Sequence, residues 1–353
     1  MNIDKLDKIL VDILKNETCY NRSVDFFFGD MGICFALYLS NKRNPNIEIE
    51  QLADELLERI LKKTKSIVDT SFERGLSGIG FAINYLHREG CISGDIDEIL
   101  FSIDASIYKE LNNDEIKVLP NLNGFIGYLA YIVERVDNPF HSKESLIHEI
   151  DMSMLRNIIN NLYLLMPKYF KKLNEDLSPS LLSDCSILFY CFGRLLHANV
   201  YNERIKKMIR NLDPYICSII PYYNLNKILM ANSLSYMNEI LENESVKKYI
   251  KILYDAVEYE NLVKEIDRDI NSFNFGWCNV LINIAIAVKY IDDNEKVLML
   301  YSQKNKISRY ADSCINDILT SEKNIVKVDF INGISGLSFA LSMLLRLNTI
   351  SLD

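Results

Sequence analysis

Two stretches near opposite ends of the chain are copies of one pattern: Gly75-Leu76-Ser77-Gly78-Ile79-Gly80-Phe81-Ala82-Ile83 and Gly333-Ile334-Ser335-Gly336-Leu337-Ser338-Phe339-Ala340-Leu341. Each sets two glycines three residues apart immediately before an apolar run. That arrangement puts a turn or a close backbone approach where a buried helix begins. Gly29-Asp30-Met31-Gly32-Ile33-Cys34-Phe35-Ala36-Leu37 repeats it, and Asn121-Leu122-Asn123-Gly124-Phe125-Ile126-Gly127-Tyr128-Leu129 is a looser copy. Ser183-Asp184-Cys185-Ser186 occupies the place of a further copy with serines for glycines, Asn232-Ser233-Leu234-Ser235 is a weaker one, and Trp277 to Ala285 makes the sixth of seven. Anchors at 29, 75, 121, 183, 232, 280 and 333 are separated by 46 to 62 residues, room for two helices each.

Between the anchors the helices alternate in character. After Gly32 the run to Leu39 is apolar on every side, whereas Ile47 to Ile67 places Leu52, Leu56, Leu57, Ile60 and Leu61 on one face and charges elsewhere. The alternation returns as a buried helix after Gly78, a turn at Gly90 to Gly94, and an amphipathic helix from Asp95 to Leu111. Residues 3 to 15 read as an opening amphipathic helix, and Lys143 to Phe170 as a long one that Pro167 kinks or divides. A period of this size means an open solenoid or a closed α/α toroid. The nearly dry helices after each glycine pair suit an inner ring wrapped by an outer one. The expectation is a single all-α domain over 1–353, an α/α toroid of about seven helical hairpins, with its site where the small-residue turns converge.

Composition narrows function by exclusion. A net charge of −9 and a pI near 5.2 argue against broad nucleic-acid binding, and charges interrupt every apolar run short of a membrane span. No secretory signal opens the chain, so the expected location is cytoplasmic. The eight cysteines stand singly without CxxC, the usage of buried reduced thiols. No Walker loop, GxSxG, HExxH or strand-preceded GxGxxG is present.

The stretch from Gly75 to Glu98, including Glu89-Gly90-Cys91-Ile92-Ser93-Gly94-Asp95-Ile96-Asp97-Glu98, and the closing stretch from Asp329 to Leu347 resemble the lanthionine synthetase C-like family. The resemblance implies an α/α toroid that adds a cysteine thiol of a ribosomally made precursor peptide to a dehydroamino acid, closing a thioether ring. It also implies a precursor or leader peptide as partner, with a dehydratase or another maturation enzyme alongside. Typical members hold zinc through Trp-Cys-x-Gly and Cys-His-Gly, which lowers the thiol pKa. Here Trp277-Cys278 matches the first motif, Asn279 stands where tyrosine is usual, and Val280 and Asn283 replace glycines. No Cys-His pair exists, and Ile331-Asn332-Gly333 is the counterpart of the second motif. Cys278 is thus the one matching metal ligand, zinc is disfavoured, and no cofactor is expected.

Candidate residues follow. Cys278 and Asp184 are the catalytic candidates, the latter beside Cys185 as a base next to a nucleophile. Trp277, Asn279, Asn332 and Asp30 are the substrate-binding candidates. All but Asn279 have a structural alternative: a small core thiol for Cys278, core filling for Trp277, turn formation for Asp184 and Asn332, and helix capping for Asp30. Two other functions stay open. One is a non-catalytic scaffold binding a peptide or enzyme; the other is an α/α-toroid glycosidase using a carboxylate pair, for which Asp30 and Asp184 are the available acids.

Overall fold

A computed structural model describes residues 3–16, 22–113, 119–141, 143–175, 177–262, 265, 276–291, 296–297, 299–300, 302 and 335–336. The side chains of several helical residues, among them 276–281, lie outside that description. The helices are α1 (Ile3–Asn16), α2 (Asp30–Arg43), α3 (Ile47–Thr64), α4 (Leu76–Arg88), α5 (Ile96–Leu111), α6 (Phe125–Val136), α7 (Leu146–Glu175), α8 (Pro179–His197), α9 (Asn202–Ile216), α10 (Asn224–Leu241), α11 (Glu244–Asp255) and α12 (Gly276–Tyr290). No strand occurs among the described residues.

Helices α2, α4, α6, α8, α10 and α12 pack each against the next as the inner ring of an α/α toroid. Helices α3, α5, α7, α9 and α11 wrap it, with α1 against α3. Burial separates the two rings. Helix α2 is buried continuously from Asp30 to Ser40 and α6 from Phe125 to Arg135, whereas α3 buries only Ile49, Ala53, Leu56, Ile60 and Thr64. The seventh inner helix is expected after Gly333. Of that stretch Ser335 and Gly336 are described, both helical, with Ser335 buried.

The two rings start their helices differently. Outer helices α3, α5 and α11 carry side-chain caps from Asn46, Asp95 and Asn243. Inner helices α2, α4 and α6 begin at Gly29, Gly75 and Gly124 with no side-chain cap. Their first amides donate instead to upstream carbonyls: Asp30 to Ser23, Leu76 to Asp69 and Phe125 to Leu119, each 2.9 Å. The glycines let that loop lie against the helix start. A Cβ at Gly75 would sit 2.4 Å from the Asp69 oxygen, and at Gly78 or Gly127 it would sit 1.9 Å from the oxygen of Phe72 or Leu122. Their φ values are ordinary, −114° at Gly29 and −120° at Gly75, so close approach is what requires glycine there. Gly94 differs, since its φ of +123° turns the chain between α4 and α5.

Four expectations are corrected. Ser183-Asp184-Cys185-Ser186 is not a turn: α8 begins at Pro179, with Ser178 accepting from the Leu181 amide, and both serines donate to the carbonyls four residues back. Asn232 to Ser235 lies in the middle of α10, whose first amides are capped by the Glu265 carboxylate, with Asn224 N–H 2.9 Å from Oε2. Of the two readings of Pro167, division is the one corrected, since α7 is a single helix from Leu146 to Glu175. Asp30 does not cap α2. It is the first residue of that helix, and its buried carboxylate lies 2.7 Å from Arg59 Nη2 of α3.

Candidate functional site

The loops before the inner helices interlock around one end of the ring. The Phe27 amide donates to the Glu73 carbonyl, the Glu73 amide to Asn123 Oδ1 at 3.1 Å, and Asn123 Nδ2 to Glu73 Oε2 at 2.9 Å. Tyr128 and Thr70 hydroxyls meet at 2.7 Å. Asp184 extends this chain by accepting from the Leu122 amide. Burial is the main reason its pKa is raised to about 7, and its Oδ1 has no hydrogen-bond partner among the described residues. The neighbouring Cys185 is fully buried, and burial pushes its thiol pKa far above the ordinary value. Asp30 and Asp184 therefore have separate partners, Arg59 on the outer ring and Leu122 in the loop before α6.

Trp277, Cys278 and Asn279 fall in the first turn of α12, with side chains outside the described residues, and Asn332 lies outside them altogether. The other described cysteines, Cys34, Cys91, Cys185, Cys191 and Cys217, are free thiols.

A cavity of about 380 Å³ opens between the inward faces of α8, α10 and α12. Ser183, Ser186, Asn232, Ser233 and Asn283 give its wall small polar groups, and Tyr190, Tyr236 and Tyr290 give it aromatic ones. The small residues that read as turn formers are thus lining residues. Tyr190 has 48% of its surface uncovered, yet burial pushes its hydroxyl pKa up. Tyr190 and Tyr236 lie 5.5 Å apart between ring centroids, and Asn232 Nδ2 donates to Asn283 Oδ1 at 3.0 Å, tying α10 to α12.

The opposite end of the inner ring carries a belt of charge. Glu134 of α6, buried, takes Arg88 of α4 at 2.7 Å and Arg194 of α8 at 2.6 Å, and Arg194 also holds Asp137. Glu239 of α10 meets His197 of α8 at 3.4 Å, and Lys289 and the Tyr290 hydroxyl of α12 at 3.5 and 2.9 Å. Outside this belt, the fully buried Arg135 joins Asp97, Asp104 and Asp151 at 2.9, 3.2 and 3.5 Å. His141 stands between two of those carboxylates, with Nδ1 2.9 Å from Asp97 and Nε2 3.2 Å from Asp151.

Among the described residues, the histidines and the helix turn that carries Cys278 lie at opposite ends of the ring. Inner helices run in parallel, so Cys278, in the first turn of α12, belongs to the end that carries the interlocked loops. His87 and His197 lie in the last turns of α4 and α8, while His141 precedes and His148 opens α7, all at the other end. The levels of α12 set by Cys278 and Tyr290 differ by roughly 18 Å along the helix axis. Among the described residues no three His, Cys, Asp or Glu side chains converge as metal ligands.

No described helix is long and apolar enough to cross a membrane. A comparison with curated proteins found no match. Among solved structures, nisin cyclase superposes with a TM-score of 0.63 over 96% of this chain and 93% of that one, at 13% identity, a likeness of fold. Residues 22–219 match the family model described as lanthionine synthetase C-like protein. With more than half of the chain matched and the ring of helices in place, the protein belongs to the lanthionine synthetase C-like family.

Proposed function

We propose that the protein binds a ribosomally made precursor peptide in the cavity between α8, α10 and α12, and closes thioether rings in it without zinc. The observation that carries this reading is the cavity itself. Its serines and asparagines suit peptide amides, and its three tyrosines suit apolar side chains and polar tips together. The likeness to nisin cyclase supports a peptide cyclase scaffold. The substrate then arrives carrying a dehydroamino acid and a cysteine, so a dehydratase acts before it, and both work in the cytoplasm where such peptides are made.

Ring closure needs a thiolate near the β-carbon of a dehydroalanine or dehydrobutyrine and a proton returned to the α-carbon. Without the metal donor set, activation of the thiol falls to protein acid–base groups. A scaffold that binds the peptide without chemistry is the second reading, favoured by the separation of the histidines from Cys278. Fluorescence anisotropy with a labelled peptide holding one dehydroalanine and one cysteine tests the shared part. Ser233→Trp should fill the cavity and weaken binding at least tenfold, roughly the loss of 1.4 kcal/mol. Unchanged affinity would place the peptide elsewhere.

A further inference from the structure

The cavity-facing stripe of α8 runs through Ser183, Ile187 and Tyr190, and helical spacing carries it on to Arg194 and His197. On α10 the same stripe runs from Leu229 through Asn232 and Tyr236 to Glu239, and α12 contributes Lys289 and Tyr290. His197 stacks on Tyr236 of the cavity wall and Glu239 accepts from Tyr290 of the same wall, so His197, Glu239, Lys289 and Tyr290 gather beside the cavity at the C-terminal ends of α8, α10 and α12. Resting on the reading that this cavity takes a dehydroamino-acid peptide, we propose that His197 is the general base of a metal-free thiol addition, with Glu239 as its positioning residue and Lys289 as the group facing the developing enolate.

The role needs the tautomer with its hydrogen on Nε2. His197 Nε2 lies 3.3 Å from the Tyr236 carbonyl oxygen and 3.4 Å from Glu239 Oε2. Both neighbours are acceptors, which suits a ring with its hydrogen on Nε2 and its lone pair on Nδ1. No described residue makes a hydrogen bond to Nδ1. The ring is held flat against Tyr236, with centroids 4.5 Å apart and planes 15° apart. A base oriented by a carboxylate on its far nitrogen is the arrangement that acid–base catalysis uses to hold the reactive nitrogen in place. Glu239 also accepts from Tyr290 at 2.9 Å and faces Lys289 at 3.5 Å, so its charge is shared across α8, α10 and α12.

The step balances without a co-reactant. His197 Nδ1 takes the thiol proton as sulfur bonds to the β-carbon of the dehydroamino acid. The carbon–carbon π pair moves onto the amide carbonyl as an enolate, which the Lys289 ammonium faces. The imidazolium then returns its proton to the α-carbon, and the carbonyl re-forms. The product is the thioether isomer of the bound peptide.

The test uses the full chain and a synthetic peptide with one dehydroalanine and one cysteine. Loss of maleimide-reactive thiol is followed by mass spectrometry from pH 5.5 to 8.5, and peptide affinity by anisotropy. His197→Gln keeps a donor toward Glu239 and has no basic nitrogen. The expected result is a fall of about a hundredfold or more in closure rate with affinity kept within a few fold, and loss of the imidazole limb of the pH profile. Glu239→Gln should lose less and keep that limb. Closure by His197→Gln at the wild-type rate would overturn the assignment and leave the cavity reading standing. Wild-type protein that binds the peptide without accelerating closure would remove ring closure and the base together, in favour of the scaffold.

Discussion

Gly78→Ala tests the reason for the repeat. An alanine Cβ there would sit 1.9 Å from the Phe72 carbonyl oxygen and 3.2 Å from Phe26 Cβ. A carbon–oxygen contact needs about 3.3 Å, so the loop must part from α4 by roughly 1.4 Å. Phe72 cannot follow freely, since its ring packs on Phe26, Phe27 and Phe81 at 6.1, 6.0 and 5.3 Å. Because the atom struck is backbone, the cost should reach about 4 kcal/mol, beyond the usual overpacking range. Alanine returns about 1 kcal/mol in helix propensity, leaving a net loss of about 3 kcal/mol. Two comparisons isolate the mechanism. Gly90→Ala meets nothing within 4 Å but has a φ of +70°, and should cost about 1 kcal/mol. Ser77→Ala, beside the glycine, removes a buried hydroxyl with no partner among the described residues and should be close to neutral. Urea unfolding of the three variants reads these differences directly. A Gly78→Ala unfolding free energy within about 1 kcal/mol of wild type would refute the close-approach explanation.

Three further outcomes follow from the buried charges. Burial raises Asp104 to about 7, while His141 is raised because Asp151 and Asp97 outweigh the opposing effect of burial. Both groups hold protons more tightly in the folded protein, so their contribution is complete at low pH and is lost as pH rises, from about 4 through 7 for Asp104 and from about 6.5 upward for His141. Urea midpoints should fall from pH 5 to 8, and Asp104→Asn should flatten the first part of that fall. Glu134→Ala strands Arg88 against the inner ring and takes one partner from Arg194, which should cost about 3–5 kcal/mol by urea unfolding, with Glu134→Gln costing less. Asp184→Asn keeps an acceptor for the Leu122 amide and should unfold near the wild-type midpoint, whereas Asp184→Ala leaves that amide unpaired and should lose about 1–3 kcal/mol.

The early repeats were legible because their helix starts are written in glycine, the one residue that admits the upstream carbonyl. Inner helices α8 and α10 start by other means. Ser178-Pro179 is a cap followed by a first-turn proline, a local signal for α8 that lies outside the pattern of small-residue pairs. Helix α10 has no such signal in its own residues, because its cap is Glu265, 41 residues away from Asn224. Pro167 misled for a related reason: it faces solvent while Met166 and Phe170 beside it are buried, so packing on either side carries α7 through it. The cavity was the least legible part. Tyrosines are spread over both rings, and only the neighbour order of α8, α10 and α12 brings Tyr190, Tyr236 and Tyr290 to one wall.

Ring closure in the presence of a strong zinc chelator bears most directly on metal-free chemistry in the inner cavity. Full-length protein, pre-incubated with 1,10-phenanthroline and desalted, is mixed with the dehydroalanine–cysteine peptide, and the loss of free thiol is followed over time. The expected result is closure faster than the peptide alone, at the rate of untreated protein. Closure that stops after chelation and returns with added zinc would contradict it, and would mean that ligands outside the described residues complete a site around Cys278.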